Sequence, residues 1–342
     1  MVGNKIGLLT DTHYGARKGS QLFHNYFEEF YENTFFPVLD DNNVDTLVHL
    51  GDVYDTRKGI DYWSLDWSKR VVFDPLRERG IKVYLIVGNH DIYYRNSLKL
   101  NSLRMNLREY DNITIIDEPQ DIGNIFMVPW ICEDNAQVTF DRLESTESKW
   151  CMGHLELAGF YANKDYKCDH GTNPDHFSKF ERTFSGHFHK KSSQGNITYL
   201  GNPYQIYWND EGETRGFHLF DKKTGELDFI ANPVNMFHKI YCSETTEIDT
   251  DNYKNTFVKL IIDDNAITPV KISQIVDKLY DASCHDVKVI ENVSYVAEGD
   301  VEVEAEDTLT TLTNYVNLLE DKVDKESLVN IFKSLYVEAQ EV

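Results

Sequence analysis

Five short segments rich in His, Asp and Asn occur along the first two thirds of this 342-residue chain, and each directly follows a short apolar run. The segments are Asp11-Thr12-His13, Gly51-Asp52-Val53-Tyr54-Asp55, Gly88-Asn89-His90-Asp91, Gly153-His154 and Gly186-His187-Phe188-His189. The apolar runs before them predict strands. Because ligands of open α/β sheets gather outside the carboxyl ends of strands, we expect all five segments to meet on one rim. The glycines allow the tight strand exits that this placement needs.

The remainder of the first two thirds alternates further apolar runs with amphipathic stretches, as in a layered α/β domain. Strands are predicted at residues 6–10, 46–50, 82–87, 125–128, 150–153, 183–185 and 197–200. A helix is predicted between residues 20 and 39, with aromatic side chains at near-helical spacing that would pack in the core. These are Phe23, Phe27, Phe30, Tyr31 and Phe35. We therefore predict a catalytic domain over residues 1–235.

The pattern changes after residue 235. A strand at 257–262, a helix at 270–280 and a strand at 286–290 predict a small α/β cap domain over residues 236–295. An acidic linker is predicted over residues 296–306, and two helical stretches for binding an ATPase partner over residues 307–342. The last stretch carries an apolar face at i, i+3, i+4 spacing, formed by Leu328, Ile331, Phe332 and Leu335. This face either folds back onto the chain or docks in the groove of a partner protein.

Charge and cysteine usage narrow the setting. The formal net charge of −23 argues against a broad basic surface, so any nucleic acid would be held locally or together with a partner. The five cysteines are scattered and form no C-x-x-C pair, which indicates neither a disulfide framework nor a thiolate zinc site. No signal-like segment and no run of about 18 apolar residues occurs, so we expect a cytoplasmic protein without a membrane span.

Each motif alone is weak, but their joint occurrence in this order predicts a metal site. The candidate ligands are Asp11, His13, Asp52, Asn89, His154, His187 and His189. They supply about twice the donors that one ion needs, so two divalent ions are implied, ~3.5–4 Å apart with one bridging carboxylate. Asp52 is the natural bridge. Mixed nitrogen and oxygen donors favour Mn, Fe or Zn over Mg or Ca.

In this order, DxH, GDxxD, GNHD, GH and GHxH closely resemble the motifs of the calcineurin-like metallophosphoesterase superfamily. The resemblance implies a four-layer β-sandwich flanked by helices, and manganese as the metal. It implies that one ion is held by Asp11, His13, Asp52 and His189, and the other by Asp52, Asn89, His154 and His187. His90 would match the family's non-ligand histidine, which stabilises the transition state or protonates the leaving oxygen, and Asp55 would orient its imidazole.

Within the superfamily, the chain resembles the SbcD branch of recombination nucleases, and most closely its T-even bacteriophage form. The resemblance rests on Asp55-Thr56-Arg57-Lys58, on Tyr199-Leu-Gly-Asn-Pro203, on the overall layout and on the ending at 335–340. It implies a manganese-dependent exonuclease/endonuclease subunit of an SbcCD-like complex, which processes DNA ends in recombination, repair and replication. It also implies a homodimer, an SbcC-type SMC-like ABC ATPase as partner, and the host cell cytoplasm as location. No G-x-x-x-x-G-K-[ST] occurs, so ATP use would belong to that partner.

Basic side chains in the loops just after the motifs are candidates for DNA contacts. They are Arg17, Lys18, Arg57, Lys58, Arg95, Lys99, Lys190 and Lys191. On this fold they would surround the metal rim and hold phosphates, unless they are ordinary solvated charges. Aromatic residues near the same motifs could stack on bases or could pack the rim. These are Tyr93, Tyr94, Tyr204, Tyr207 and Trp208.

Two rival functions use the same motifs. A phosphatase for phosphoproteins or nucleotides would need the same seven ligands, but its Ser/Thr-specific relatives carry Arg-Gly after GDxxD and end the third motif in Glu. This chain has Thr56-Arg57 and Asp91 instead. A non-catalytic protein-binding scaffold is the second rival, and the intact ligand set opposes it.

Overall fold

A computed structural model of the chain describes residues 5–162, 167–243, 252–263 and 267–291, together with positions 316, 325, 328–330 and 332. The chain divides into two compact units between His238 and Lys239. The predicted domain limits at 235 and 295 stay predictions, and the predicted acidic linker at 296–306 lies outside the described residues.

The strands are β1 (Lys5–Leu9), β2 (Thr46–His49), β3 (Lys82–Ile86), β4 (Ile92–Tyr94), β5 (Ser97–Asn101), β6 (Ile113–Ile116), β7 (Gln120–Ile122), β8 (Ile125–Val128), β9 (Trp150–His154), β10 (Arg182–Gly186), β11 (Ser192–Gln194), β12 (Ile197–Tyr199), β13 (Gly216–Asp221), β14 (Leu227–Ala231), β15 (Phe237–Tyr241), β16 (Phe257–Ile262) and β17 (Asp286–Glu291). The α-helices are α1 (Ala16–Gly19), α2 (Gln21–Phe30), α3 (Phe36–Asp41), α4 (Tyr62–Ser68), α5 (Asp74–Glu78), α6 (Ser102–Asn106), α7 (Ala136–Ser145) and α8 (Pro269–Asp281).

Two six-stranded sheets build the first unit, in the orders β14-β13-β1-β2-β3-β6 and β11-β12-β10-β9-β8-β7. Strands β1, β2, β3 and β6 run parallel in the first sheet. Strands β8, β9, β10 and β12 run parallel in the second. Ile6 and Val48 of the first sheet pack with Met127, Met152 and Phe184 of the second in the core between them. The predicted layered α/β class is confirmed.

Helices cover the outer faces of both sheets. Leu143 of α7 packs on Phe126 and Val128 of the second sheet. On the first sheet, the ring of Phe35 lies 4.9 Å from that of Phe217. The helix predicted at 20–39 is interrupted by a π-helical turn at Tyr31–Phe35 before α3 begins. Pro37 supplies the reason, since it has no N–H to continue the α-helical hydrogen bonds.

The second unit contains most of the three-stranded sheet β15-β16-β17, whose first strand begins at Phe237, just before the boundary. Strands β16 and β17 are parallel and joined through α8, whose Ile275 and Leu279 pack on Val258 and Leu260. The predicted strand, helix and strand of this region are therefore confirmed, within one residue at each end.

The C-terminal region is described at few positions. Leu328 and Phe332 are helical and half-buried, whereas Ile331 and Leu335 lie outside the described residues, so their proposed partner contacts stay predictions. Among the described residues, no helix combines the length and the apolar character that crossing a membrane requires.

Candidate metal centre

The first three motifs follow β1, β2 and β3, the fourth forms the end of β9 and the fifth begins at the last residue of β10. All five thus lie at the carboxyl ends of parallel strands in the two sheets. The first group of donors comes from two of these ends. Asp11, His13 and His189 are buried, and their donor atoms lie within 4.8 Å of one another. The Nε2 atoms of His13 and His189 are 3.1 Å apart. Two ring nitrogens so close can share one cation between them.

The second group comprises Asp52, Asn89, His154 and His187. The Nε2 atom of His154 lies 3.2 Å from Asp52 Oδ2 and 2.8 Å from Asn89 Oδ1, and His187 Nδ1 lies 3.0 Å from the same amide oxygen. His154 Nδ1 donates to the backbone carbonyl of Leu50 at 2.7 Å. Since a carbonyl only accepts, the proton of a neutral His154 sits on Nδ1 and leaves Nε2 as the ligand atom.

Asp52 lies between the two groups. Its Oδ2 atom is 3.2 Å from His154 Nε2 and 3.9 Å from His13 Nε2, while its Oδ1 atom accepts from the backbone N–H of His90 at 2.8 Å. All seven predicted ligands are brought to one place, and their mixed imidazole, carboxylate and amide donors fit a pair of divalent cations. Assigning each ligand to one ion stays a prediction.

Four of these ligands have left-handed backbone, which costs about 1–3 kcal/mol for each non-glycine residue. The φ angles are 51° at Asp11, 47° at His13, 54° at Asp52 and 87° at His187. Backbone hydrogen bonds between the strand exits hold these conformations, including Asp11 N–H to Gly51 O at 3.0 Å and His13 N–H to Asp52 O at 3.2 Å. The carboxylate of Asp11 in turn accepts from the backbone N–H of His187. This strain has no signal in the sequence.

Two glycines of the motifs are required by close approach. A Cβ on Gly88 would lie 2.2 Å from Asp52 Oδ1, and a Cβ on Gly51 would lie 2.4 Å from His154 Nδ1. Gly51 also has a φ of +103°. These glycines were predicted to allow the strand exits. They also have a second role, because they let ligand side chains lie directly against the backbone.

Asp91 is a buried residue that was not among the predicted site residues, yet its carboxylate organises the motif loops. Its carboxylate accepts from the backbone N–H groups of Gly88, Asp52, Val53 and Tyr54, at 2.9 to 3.4 Å. These contacts tie the second motif to the third and thereby position Asp52. The only sequence signal was its place as the last letter of GNHD.

The predicted contact between His90 and the Asp55 carboxylate is wrong, because a different atom of Asp55 makes the contact. His90 Nδ1 donates to the backbone carbonyl of Asp55 at 2.5 Å. The Asp55 carboxylate instead lies 3.3 Å from His13 Nδ1 and accepts from the hydroxyl of Tyr207 at 3.4 Å. The chain turns after Asp52 so that the carbonyl faces His90 and the side chain faces the exit of β1, which motif spacing does not specify.

Burial and neighbouring charges have opposite effects on the pKa values of Asp52, His154 and His13. Burial disfavours a charged Asp52, yet the His154 and His90 imidazoles hold its pKa well below the usual range. Burial also opposes a charged His154, but Asp52 raises its pKa to about 9. Burial lowers the pKa of His13 less than the Asp55 and Asp52 carboxylates raise it. The centre therefore favours positive charge, and a cation can take the place of these protons.

The basic side chains do not form a uniform ring. Arg57 donates through Nε to the carbonyl of Asn89 at 2.8 Å, beside the second donor group. Arg17 donates to Ile206 O at 3.0 Å, Lys190 lies 3.5 Å from Glu213, and the Lys191 ammonium lies 3.2 Å from the centre of the Phe229 ring. The remaining predicted side chains are exposed, namely Lys18, Lys58, Arg95 and Lys99. Of the predicted set, Arg57 thus contacts a candidate ligand residue.

The aromatic residues divide in the same way. Tyr204 is buried and stacks on Phe27 with 3.9 Å between ring centroids, and Trp208 packs on Phe237. Tyr207 is buried as well, whereas Tyr93 and Tyr94 are exposed. Packing therefore accounts for Tyr204, Trp208 and Tyr207. Base stacking stays a prediction for Tyr93 and Tyr94.

A comparison of sequences assigns the chain to a known family. A family model described as calcineurin-like phosphoesterase matches residues 4–230. The chain is similar to exonuclease subunit 1 of Enterobacteria phage T4, with 31% identity over 306 residues, 87% of this chain and 88% of that protein. It is also similar to DNA double-strand break repair protein Mre11 of Methanocaldococcus jannaschii, with 27% identity over 235 residues, 62% of this chain and 60% of that protein. A solved archaeal phosphodiesterase aligns at 13% identity with a TM-score of 0.34, over 67% of this chain and 99% of the other.

Proposed function

The chain belongs to the calcineurin-like phosphoesterase family and is a metal-dependent phosphodiesterase, and from this premise we propose that it is the nuclease subunit of an SbcCD-like complex. It would act as an exonuclease and endonuclease on double-stranded DNA ends in recombination, repair and replication. The relatives support this proposal, since one is named an exonuclease subunit and the other a double-strand break repair protein.

The observation that carries the proposal is the meeting of two donor groups at one carboxylate, that of Asp52. Two divalent ions in such a site would lower the pKa of an attacking water and stabilise charge on the phosphate oxygens. We propose manganese, which suits the mixed nitrogen and oxygen donors. Asp11, His13 and His189 would bind the first ion, Asn89, His154 and His187 the second, and Asp52 both.

We propose His90 as the residue that assists the leaving oxygen. Its Nδ1 is committed to the Asp55 carbonyl, so proton transfer would use Nε2. Asp55 would serve twice, positioning His90 with its carbonyl and His13 with its carboxylate.

DNA recognition in this proposal is local. The net charge of −23 leaves little room for a wide basic surface, and Arg57 beside Asn89 is the basic residue best placed to contact a phosphate. The partner would supply the remaining attraction. We propose an SbcC-type SMC-like ABC ATPase, bound through the apolar face that contains Leu328, Ile331, Phe332 and Leu335.

We further propose a homodimer. Exposed apolar side chains in the described part of the first unit gather in residues 62–105, with exposed fractions of 90% at Tyr62 and 66% at Met105. A cavity of about 260 Å³ is lined in part by three of them, Tyr93, Leu100 and Met105, and by Ile60. A second copy would remove this apolar surface from water. Sedimentation equilibrium of wild type and Met105→Asp tests this, with a weaker dimer expected in the variant.

The decisive experiment is manganese-dependent hydrolysis of linear double-stranded DNA, measured beside a p-nitrophenyl monoester and a bis-p-nitrophenyl diester. Wild type and His90→Ala are compared, with His176→Ala as control, because His176 is an exposed histidine away from the motifs. We expect cleavage of DNA and diester, retained in the control and lost in His90→Ala. Turnover of the monoester alone would instead identify a phosphatase.

A further inference from the structure

A third cluster of metal-ligating side chains lies outside the two donor groups. Glu156, Cys168 and His170 each place one donor atom within 4.8 Å of the other two. His170 Nε2 is 3.6 Å from Glu156 Oε1, which is longer than a hydrogen bond. Two such ligands on one tetrahedral zinc ion, with bonds of about 2.0–2.3 Å, would be roughly 3.3–3.6 Å apart. The separation therefore fits an ion between them better than a direct contact.

Backbone hydrogen bonds hold the three donors in place. The stretch that begins at Glu156 and the stretch that begins at Cys168 are joined by N–H to O bonds of 2.7 to 3.1 Å: Gly159 to Cys168, Cys168 to Phe160, Ala158 to Thr172 and Thr172 to Glu156. Gly171 permits this approach, because a Cβ there would lie 2.6 Å from the carbonyl oxygen of Glu156. The approach of the two stretches is thus set by the backbone.

The sulfur of the cluster is buried, and burial by itself favours the neutral thiol. Cys168 is 2% exposed, and burial raises the pKa of its thiol to about 11, although the backbone N–H groups of His170 and Gly171 act to lower it. Hydrogen bonds of this kind stabilise a thiolate. A thiol buried beside a glutamate ionises only with a cation nearby, and a bound metal ion supplies that charge.

We propose that Glu156, Cys168 and His170 bind one zinc ion, separate from the two catalytic ions. Thiolate, imidazole and carboxylate are the three donor types that zinc takes from proteins, and three protein ligands leave a fourth position for water. The sequence does not predict this site, because a cluster with a single cysteine has no C-x-x-C pair. Its signal is Glu156 after the fourth motif together with the Cys-Asp-His-Gly run at 168–171.

The site has a consequence for the catalytic centre. Glu156 Oε1 lies 3.5 Å from His187 Nε2, on the side of the ring opposite to Nδ1, which faces Asn89. A zinc ion that holds Glu156 therefore holds the orientation of His187 as well. Partners of this kind behind a metal ligand typically alter metal affinity by about 10–100-fold. The zinc would act as a support for the second donor group.

Metal content and cobalt spectroscopy of the full chain test the proposal. Wild type, Cys168→Ser and the control Cys284→Ser are purified, and zinc per chain is measured by plasma mass spectrometry after dialysis with zinc. We expect Cys168→Ser to hold one equivalent fewer than the other two. In cobalt-substituted protein, wild type and the control should show a thiolate-to-cobalt charge-transfer band that Cys168→Ser lacks. The candidate catalytic ligands include no cysteine, so this band does not depend on nuclease activity.

Folding is controlled separately. If Cys168→Ser is unfolded by circular dichroism, His170→Asn replaces it, with loss of one zinc equivalent and a changed cobalt spectrum expected. Wild-type protein without the charge-transfer band, or equal zinc content in folded wild type and variants, would overturn the proposal. Those results would leave the cluster as a hydrogen-bonded support of His187, whether or not the chain cleaves DNA.

Discussion

The candidate metal centre and the basic loops beside it were predicted from the same motifs, yet they differ in how they are held. The ligands are buried and joined by backbone hydrogen bonds between strand exits. The basic side chains are exposed or occupied by local partners, such as Glu213 for Lys190 and the Phe229 ring for Lys191. Arg57 is the member of this set whose bond to a candidate ligand residue, Asn89, is described above.

This difference shows which functions a short motif can specify. A ligand next to a strand end has its position determined by the strand, because sheet register and backbone hydrogen bonds leave it little freedom. A lysine or arginine a few residues farther on has a long flexible side chain and takes the best partner within reach. Substitutions should therefore have large effects at the centre and small, graded effects among the basic residues.

The largest effect is expected for Asp52→Asn. The shared carboxylate carries the negative charge between both donor groups, and its loss should cost several kcal/mol of transition-state stabilisation, or at least about 10³-fold in rate. Hydrolysis of the diester and titration calorimetry with manganese measure this. A variant within tenfold of wild type would contradict the bridging role.

His90→Ala should lower the rate by about 10²–10⁴-fold, the range for loss of a general acid. Because His90 is not among the proposed ligands, both ions should stay bound. Activity and metal content are measured on the same preparation. Loss of metal in step with activity would place His90 in the ligand set instead.

Manganese binding should depend steeply on pH. In the metal-free protein Asp52 raises the pKa of His154 to about 9, and the ion can bind only the neutral ring. Protons therefore compete below that value, so affinity should rise about tenfold per pH unit from roughly pH 6.5 to 8.5 and level off above 9. Calorimetric titration across this range checks the slope. A flat profile would mean that manganese does not displace a proton from His154.

Arg57→Ala should weaken DNA binding and reduce the salt slope by about one, as expected for one lost phosphate contact. Arg17→Ala is the matched comparison, since its guanidinium bonds to Ile206 O and lies over the Tyr207 ring. We expect Arg17→Ala to reduce stability by about 1 kcal/mol and leave the salt slope unchanged. Binding titrations at several salt concentrations separate the two. Equal salt slopes for the two variants would mean that Arg57 contacts phosphate no more than Arg17 does.

The smallest effects are expected for Lys190→Ala and Lys191→Ala, because Glu213 and the Phe229 ring already occupy these side chains. Exposed pairs of this kind contribute less than about 1 kcal/mol. The KM for DNA should change by less than about threefold, measured against Glu213→Gln. A larger loss in Lys190→Ala would show that Lys190 leaves Glu213 to hold DNA.

Much of the site was accessible from the sequence because its information is local. The strands before all five motifs were predicted to within a few residues, since apolar runs of this length bounded by glycine have few other structures. Strands β13 and β14 were not predicted, although β13 pairs with β1. Pairing across more than 200 residues leaves no pattern in either strand alone.

The sequence by itself determined the α/β class, the order of the motifs and the identity of the seven candidate ligands. These follow from residue type and from position relative to a strand end, which neighbouring residues specify. Tertiary structure alone decided which atom of Asp55 faces His90, which motif loops Asp91 ties together, and that Glu156 meets Cys168 and His170. Such contacts depend on the direction of individual side chains across loops that are distant in sequence, and packing sets that direction.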